Sequence, residues 1–230
     1  ATVARSLGDL FHYELTGGHL SQFKANFAEL YGDAVTELTA RITNGYLVHA
    51  DETAARVVGK SAVVWVFASM EEVVFLYAES REGEMVHKIM SGFRGVLVSD
   101  FYAVYDGYDC PQQKCLIHLI RDFNDDLHRY LFDSELRQIA SEFTSVLKPI
   151  VETIDQRGLK VRFLAKHQPF VRRFLTWATS QEFESETAQK YGQRFRKNQK
   201  KLFTFMDYDG VPWNNNNAEN AIRAFASLRE

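Results

Sequence analysis

The chain has little of what marks a secreted, fibrous or membrane-spanning protein. Two cysteines among 230 residues, Cys110 and Cys115, make no disulfide framework, and a reducing cytoplasm is the expected setting. Four prolines and thirteen scattered glycines leave no linker and no low-complexity stretch. No run approaches the ~20 consecutive apolar residues that a membrane span needs. The opening ATVARSLGDL lacks the apolar stretch of a secretory signal and begins without Met, which reads as a processed or excised piece. There are no internal repeats, no Gly-rich phosphate loop and no nucleophile elbow, so the common nucleotide-binding and serine-hydrolase signatures are excluded. An overall excess of positive charge is also missing, since the net charge is −3.

What is there is a globular composition, 46% apolar and 13% aromatic, enough to bury one large or two small cores. The charge is unevenly placed. Twelve Lys/Arg against three acids lie between Arg157 and Lys201, a local +9 that leaves −12 for the remainder. Lys190, Arg194, Arg196, Lys197, Lys200 and Lys201 form a cluster without an acid among them. Such a block suits a phosphate backbone, and it equally suits a solvated helix face.

Residues 1–45 read as helical, with Phe23, Phe27, Leu30, Tyr31, Val35, Leu38 and Ile42 at helical spacing. Tyr46–Ala50, Ala62–Ala68 and Val73–Ala78 then read as strands, with a hairpin turn at Ser69–Glu72. A short helix is expected at Gly83–Ser91, a strand at Val96–Ser99, a helix at Phe101–Tyr108 and a fifth strand at Lys114–Ile117. From about Leu119 the pattern is helical, with long stretches from Leu136 to Ile154, Phe163–Thr179 and Phe183–Met206, and a last helix from about Ala218. The expected architecture is α/β, a mixed five-stranded sheet with flanking helices. Its parts are an N-terminal helical segment (1–45), the first part of the core (46–118), a helical insertion (119–210) and a final core helix (211–230).

Asp51 ends the first expected strand and Asp100 the fourth, where sheet proteins place functional side chains. If those strands are neighbours, the two carboxylates converge and repel unless a cation lies between them. Oxygen-only donors suit Mg²⁺ or Mn²⁺. Each Asp alone would serve as an ordinary helix cap. Glu219, in the first turn of the last helix behind four consecutive Asn, supplies a third acid. Glu219, Ile222 and Arg223 share one helical face.

Four motifs in order then carry a resemblance: HADET at 49–53, GVLVSDFYAVY at 95–105, CLIHLIRDF at 115–123 and VPxxNNxxExxxR at 211–223. From roughly Glu29 onward the chain resembles a DDE transposase of the insertion-sequence-66 type. The resemblance implies an RNase H-like catalytic domain with Asp51, Asp100 and Glu219 as the acidic triad. It also implies two Mg²⁺ or Mn²⁺ ions, Asp51 binding both, and two-metal cleavage of DNA followed by strand transfer. The implied partners are double-stranded DNA (transposon ends and target), further copies of the chain, and element-encoded accessory proteins, in a bacterial cytoplasm at the nucleoid. Arg194, Arg196, Lys197, Lys200, Lys201, Asn215, Asn216 and Arg223 are the expected DNA contacts, with His118 and Arg121 in supporting positions. Asn214 and Asn220 depart from the pattern, which has Asp before the Asn pair and Arg after the Glu. The chain also ends earlier than the pattern, and its N-terminal DNA-reading region looks shortened. The alternative is a domesticated or fragmentary transposase that holds DNA without cutting it. A third option is a nuclease of the same fold acting on RNA–DNA hybrids.

Two weaker signals complete the reading. Cys110, Cys115 and His118 match no closed zinc pattern, and a fourth ligand (His128 or His87) would have to be recruited. His49, two residues before Asp51, shares its strand face and reads as a core or rim histidine. Glu52 points to the opposite face and is not counted as a ligand.

Overall fold

Sheet formation begins where helical periodicity gives way to β-branched and aromatic runs. β1 (Leu47–Val57), β2 (Lys60–Ala68) and β3 (Val73–Ala78) form an antiparallel meander. β4 (Val96–Ser99) and β5 (Gln112–Lys114) extend it in parallel from the other side of β1, giving the order β3-β2-β1-β4-β5. The computed structural model describes residues 2–12, 15–57, 59–81 and 83–227. Within them, the mixed five-stranded sheet with flanking helices is the expected α/β architecture, consistent with an RNase H-like fold.

The helices are α1 (Thr2–Phe11), α2 (Gly17–Leu30), α3 (Gly32–Thr43), α4 (Glu84–Met90), α5 (Leu116–Arg129), α6 (Ser134–Arg157), α7 (Val161–Leu164), α8 (Gln168–Ser180), α9 (Glu186–Asn198) and α10 (Asn216–Ser227). The chain divides into two compact units, Ala1–Arg41 and Ile42–Glu230. In the first, Thr16 and His19 close a capping box at the start of α2, and Phe23, Phe27 and Leu30 are exposed along that helix.

In the second unit the two faces of the sheet follow from strand alternation. Val48, Ala50, Trp65, Phe67 and Leu97 pack on one face with α4 and Tyr105. Leu47, Val96 and Val98 pack on the other, joined by the apolar residues of α5, α6, α8 and α9. Odd positions of β1 and even positions of β4 therefore face α5, α6, α8 and α9. Asp51 and Asp100 follow in the same alternation.

Several elements differ from the sequence expectation. β1 continues six residues past Asp51, so that residue lies mid-strand rather than at the strand's end. The stretch Glu52–Val57 is too polar to read as a strand, yet it pairs residue for residue with the apolar β2. Cross-strand partners overrule local propensity here. Phe101–Tyr108 makes only a 3-10 turn at Ala103–Gly107. β5 is Gln112–Lys114 rather than Lys114–Ile117, and all three of these polar residues are buried. Their partners come from the segment after α9. Gln113 Nε2 donates to the Leu202 carbonyl at 2.8 Å, Gln113 Oε1 accepts from the Phe205 amide at 2.9 Å, and the Lys114 amide donates to the Lys201 carbonyl at 2.7 Å. That edge pairing ends α9 at Asn198, short of the expected Met206. The expected Phe163–Thr179 helix divides into α7, a 3-10 turn and α8, with Pro169 in the first turn of α8, where its missing N–H costs nothing.

Candidate active site

The site forms where β1 and β4 run side by side and α10 packs across β1 and β2. Asp51 is paired across the sheet with Val66, and strand alternation puts it on the same face as Leu47, Val96 and Val98. Its Oδ1 accepts the Glu52 amide at 2.9 Å. Asp100 closes β4, and its Oδ1 accepts the Tyr102 amide at 2.8 Å, which fixes the turn that follows. Burial raises the Asp51 carboxyl to about 7; the Glu52 amide opposes this, and the charges of Asp100, Glu52 and Glu219 add to it. Three strand-borne and helix-borne acids thus act on one half-buried carboxyl. That is the condition a bound cation relieves.

Glu219 stands in the first turn of α10 with 14% of its side chain exposed. Its two oxygens face different chemistry. Oε2 lies 3.7 Å from Arg121 and 3.9 Å from Arg223. Oε1 lies 3.7 Å from His118 Nδ1 and 3.9 Å from Cys115 Sγ. Cys115 caps α5 and His118 sits in its first turn, so both face the start of α10.

The Asn run is divided among several tasks. Asn215, expected as a DNA contact, is completely buried, and this is a correction. Its Oδ1 meets His49 Nδ1 at 3.0 Å, its Nδ2 donates to the Ala50 carbonyl at 2.9 Å, and its amide donates to Cys115 Sγ at 3.2 Å. It therefore fastens the loop before α10 to β1 and to the start of α5, with its side chain shut off from solvent. Asn214 Oδ1 accepts the Asn216 amide at 3.1 Å, and Asn216 is exposed. Burial lowers His49 to about 4 against the opposing Asn215 bond, so the imidazole is neutral at physiological pH.

Glu52 lies on the far face as expected, held by Tyr105 Oη at 2.9 Å and Arg81 at 2.6 Å. The basic cluster is less free than its composition suggests. Lys197 and Lys201 reach Asp106 at 2.8 and 3.2 Å, where fully buried Lys114 also arrives at 3.3 Å. Burial alone would raise Asp106, but these lysines outweigh it and bring it down to about 2. Arg194 pairs with Asp122 at 2.5 Å and lies 3.7 Å over the Phe101 ring. Arg196 donates to the Thr179 carbonyl at 3.2 Å, and both Arg196 and Lys200 are exposed. The pairing of Asp106 with these three lysines was not anticipated; no sequence spacing links Lys114 with Lys197.

The family model described as Transposase IS66 family matches residues 3–230. The chain belongs to the IS66 family of transposases. No curated protein matches it. Membership makes this a DNA-processing protein of an insertion sequence, and binding to DNA follows from it. Among the described residues, no helix of this IS66 transposase is long and apolar enough to cross a membrane.

Proposed function

We propose that this IS66-family chain is the catalytic unit that cleaves DNA at transposon ends and joins the freed strands to target DNA by metal-dependent phosphoryl transfer. The observation supporting this reading is that the charges of Asp100, just after the neighbouring strand, and of Glu219, on the last helix, both act on half-buried Asp51. Their oxygen donors fit Mg²⁺ or Mn²⁺. Asp51 would hold two ions, Asp100 and Glu219 one each. When bound, the ions would supply activation of the attacking hydroxyl and stabilisation of the leaving oxygen.

The chain's own groups supply positioning. Asp51 would hold metal as the carboxylate, its proton having left. Arg121 and Arg223 are more than half exposed beside Glu219 and hold a phosphate of the reacting strand. His118 supports Glu219 from the other side. Arg196, Lys200 and Asn216 contact the DNA backbone further out, whereas Arg194, Lys197 and Lys201 brace the insertion through the acids they already meet. DNA ends, target, a second copy of the chain and accessory proteins complete the proposed assembly.

The test is cleavage of labelled duplex carrying the element's ends with Mn²⁺, beside calorimetric Mn²⁺ binding. Wild type should bind metal and cut, while Asp51→Asn, Asp100→Asn and Glu219→Gln should do neither. Duplex bound but left uncut by metal-loaded wild type would make the chain a DNA-holding module. Preferential cutting of an RNA–DNA hybrid would make it a different nuclease.

A further inference from the structure

The chemistry at Glu219 Oε1 differs from that of the acidic group. Among the described residues, Cys115, His118 and Glu219 bring a sulfur, a ring nitrogen and a carboxylate oxygen within 4.8 Å of one another. A tetrahedral ion with arms of ~2.0–2.3 Å has ligand–ligand edges of roughly 3.3–3.6 Å. The separations here, 3.7 Å from His118 Nδ1 to Oε1 and 3.9 Å from Cys115 Sγ to Oε1, close to that value with small side-chain movements. Cys110 takes no part, being packed with Tyr108 against the core on the other face of the sheet.

Two further features suit a cation. His118 Nδ1 is buried without a hydrogen-bond partner, so no hydrogen bond has to be broken for it to meet a cation. The Cys115 sulfur is faced by the amides of Ile117, His118 and Asn215, the last at 3.2 Å, and stands at the N-terminal end of a 14-residue helix. Burial on balance holds the Cys115 thiol above its ordinary value, with these amides opposing it, so the thiolate that binds metal forms as the ion arrives rather than before. Glu219 and His118 retain 14% and 29% side-chain exposure, which leaves a way in.

We infer that Cys115, His118 and Glu219 form a site for a thiophilic divalent cation of the zinc class, with one position open to water. Sulfur and imidazole select such an ion over Mg²⁺. Binding releases the Cys115 proton, so affinity rises with pH. Because the site takes Glu219, its occupation withdraws that acid from Asp51 and Asp100. A zinc-class ion therefore inhibits the cleavage proposed above. The inhibition rests on that reading; the binding itself does not.

The test is titration of reduced, chelator-stripped protein with cobalt(II) alone, following the thiolate-to-cobalt charge-transfer band. Wild type and Cys110→Ser should show the band saturating at one equivalent and bleached by Zn²⁺. Cys115→Ser should lose it. His118→Gln should weaken binding by more than the ~10–100-fold that loss of an outer-shell partner costs. Asp51→Asn should keep the band, separating this site from the acidic group. In the cleavage assay Zn²⁺ should block wild type and spare Cys115→Ser. No band in wild type, an unchanged band in Cys115→Ser, or its loss in Asp51→Asn would overturn the site. Absence of Mn²⁺-dependent cleavage would instead sink the nuclease reading and leave the cobalt result to decide the site.

Discussion

Replacing Asp51 with Asn should stabilise the metal-free protein, and should do so more strongly as pH rises. The carboxyl moves from an ordinary 3.8 to about 7 on folding, chiefly through burial. Its folded-state value lies above its unfolded one. Its favourable contribution is thus fully present below about pH 4 and is lost as pH rises through 7. Full linkage over that interval amounts to about 4 kcal/mol, at about 1.4 kcal/mol per tenfold change in proton affinity. Water reaches this half-buried group and screens it, so about 2 kcal/mol is expected between pH 5 and pH 8. The assay is urea unfolding of wild type and Asp51→Asn in chelator across that range, taking the difference so that remote titrations cancel. Mn²⁺ should then reverse the order at pH 8, since ion at 100 times its dissociation constant stabilises wild type by ~2.7 kcal/mol. A difference that stays flat with pH would refute the reasoning, because the carboxyl would then be solvated and distant from Asp100 and Glu219.

Other perturbations test the surroundings of the site. Asn215→Ala leaves His49 and the Ala50 carbonyl buried without their partner and should cost about 3 kcal/mol in urea unfolding; a loss below about 1 kcal/mol would mean the loop before α10 is held elsewhere. Asp106→Ala strands the Lys114 ammonium and should cost roughly 3–5 kcal/mol. Adding Lys114→Met should recover much of that, and a double variant no more stable than the single one would contradict the buried-charge argument. Arg223→Ala should weaken duplex binding, reduce its salt dependence by about one phosphate contact and leave Mn²⁺ affinity unchanged. Equal loss of both affinities would assign that arginine to the metal site instead.

Much of the fold was legible because hydrophobic patterning is local. β3 and β4 fall where their apolar runs lie, and the long periodic stretch from Leu136 to Ile154 sits within α6. Strand alternation likewise put His49 and Asp51 on one face and Glu52 on the other. Elements whose reason is distant were not legible. The outer half of β1 forms because β2 pairs with it, and the polar β5 forms because Leu202 and Phe205 satisfy Gln113 from 89 and 92 residues away.

The same division holds at the site. The sequence by itself determined the candidate acids, since residue type and motif order identify Asp51, Asp100 and Glu219 without any coordinates. It also determined the charge asymmetry, which is composition. Only the tertiary structure decided what those charges meet. Asp106 draws in Lys114, Lys197 and Lys201, and Asn215 turns inward to bind β1 rather than outward toward DNA. The third member of the Cys115–His118 group proved to be Glu219, 104 residues from the cysteine. Hydrogen bonds and ion pairs act over a few ångströms of space, and chain separation carries no record of which groups will come that close.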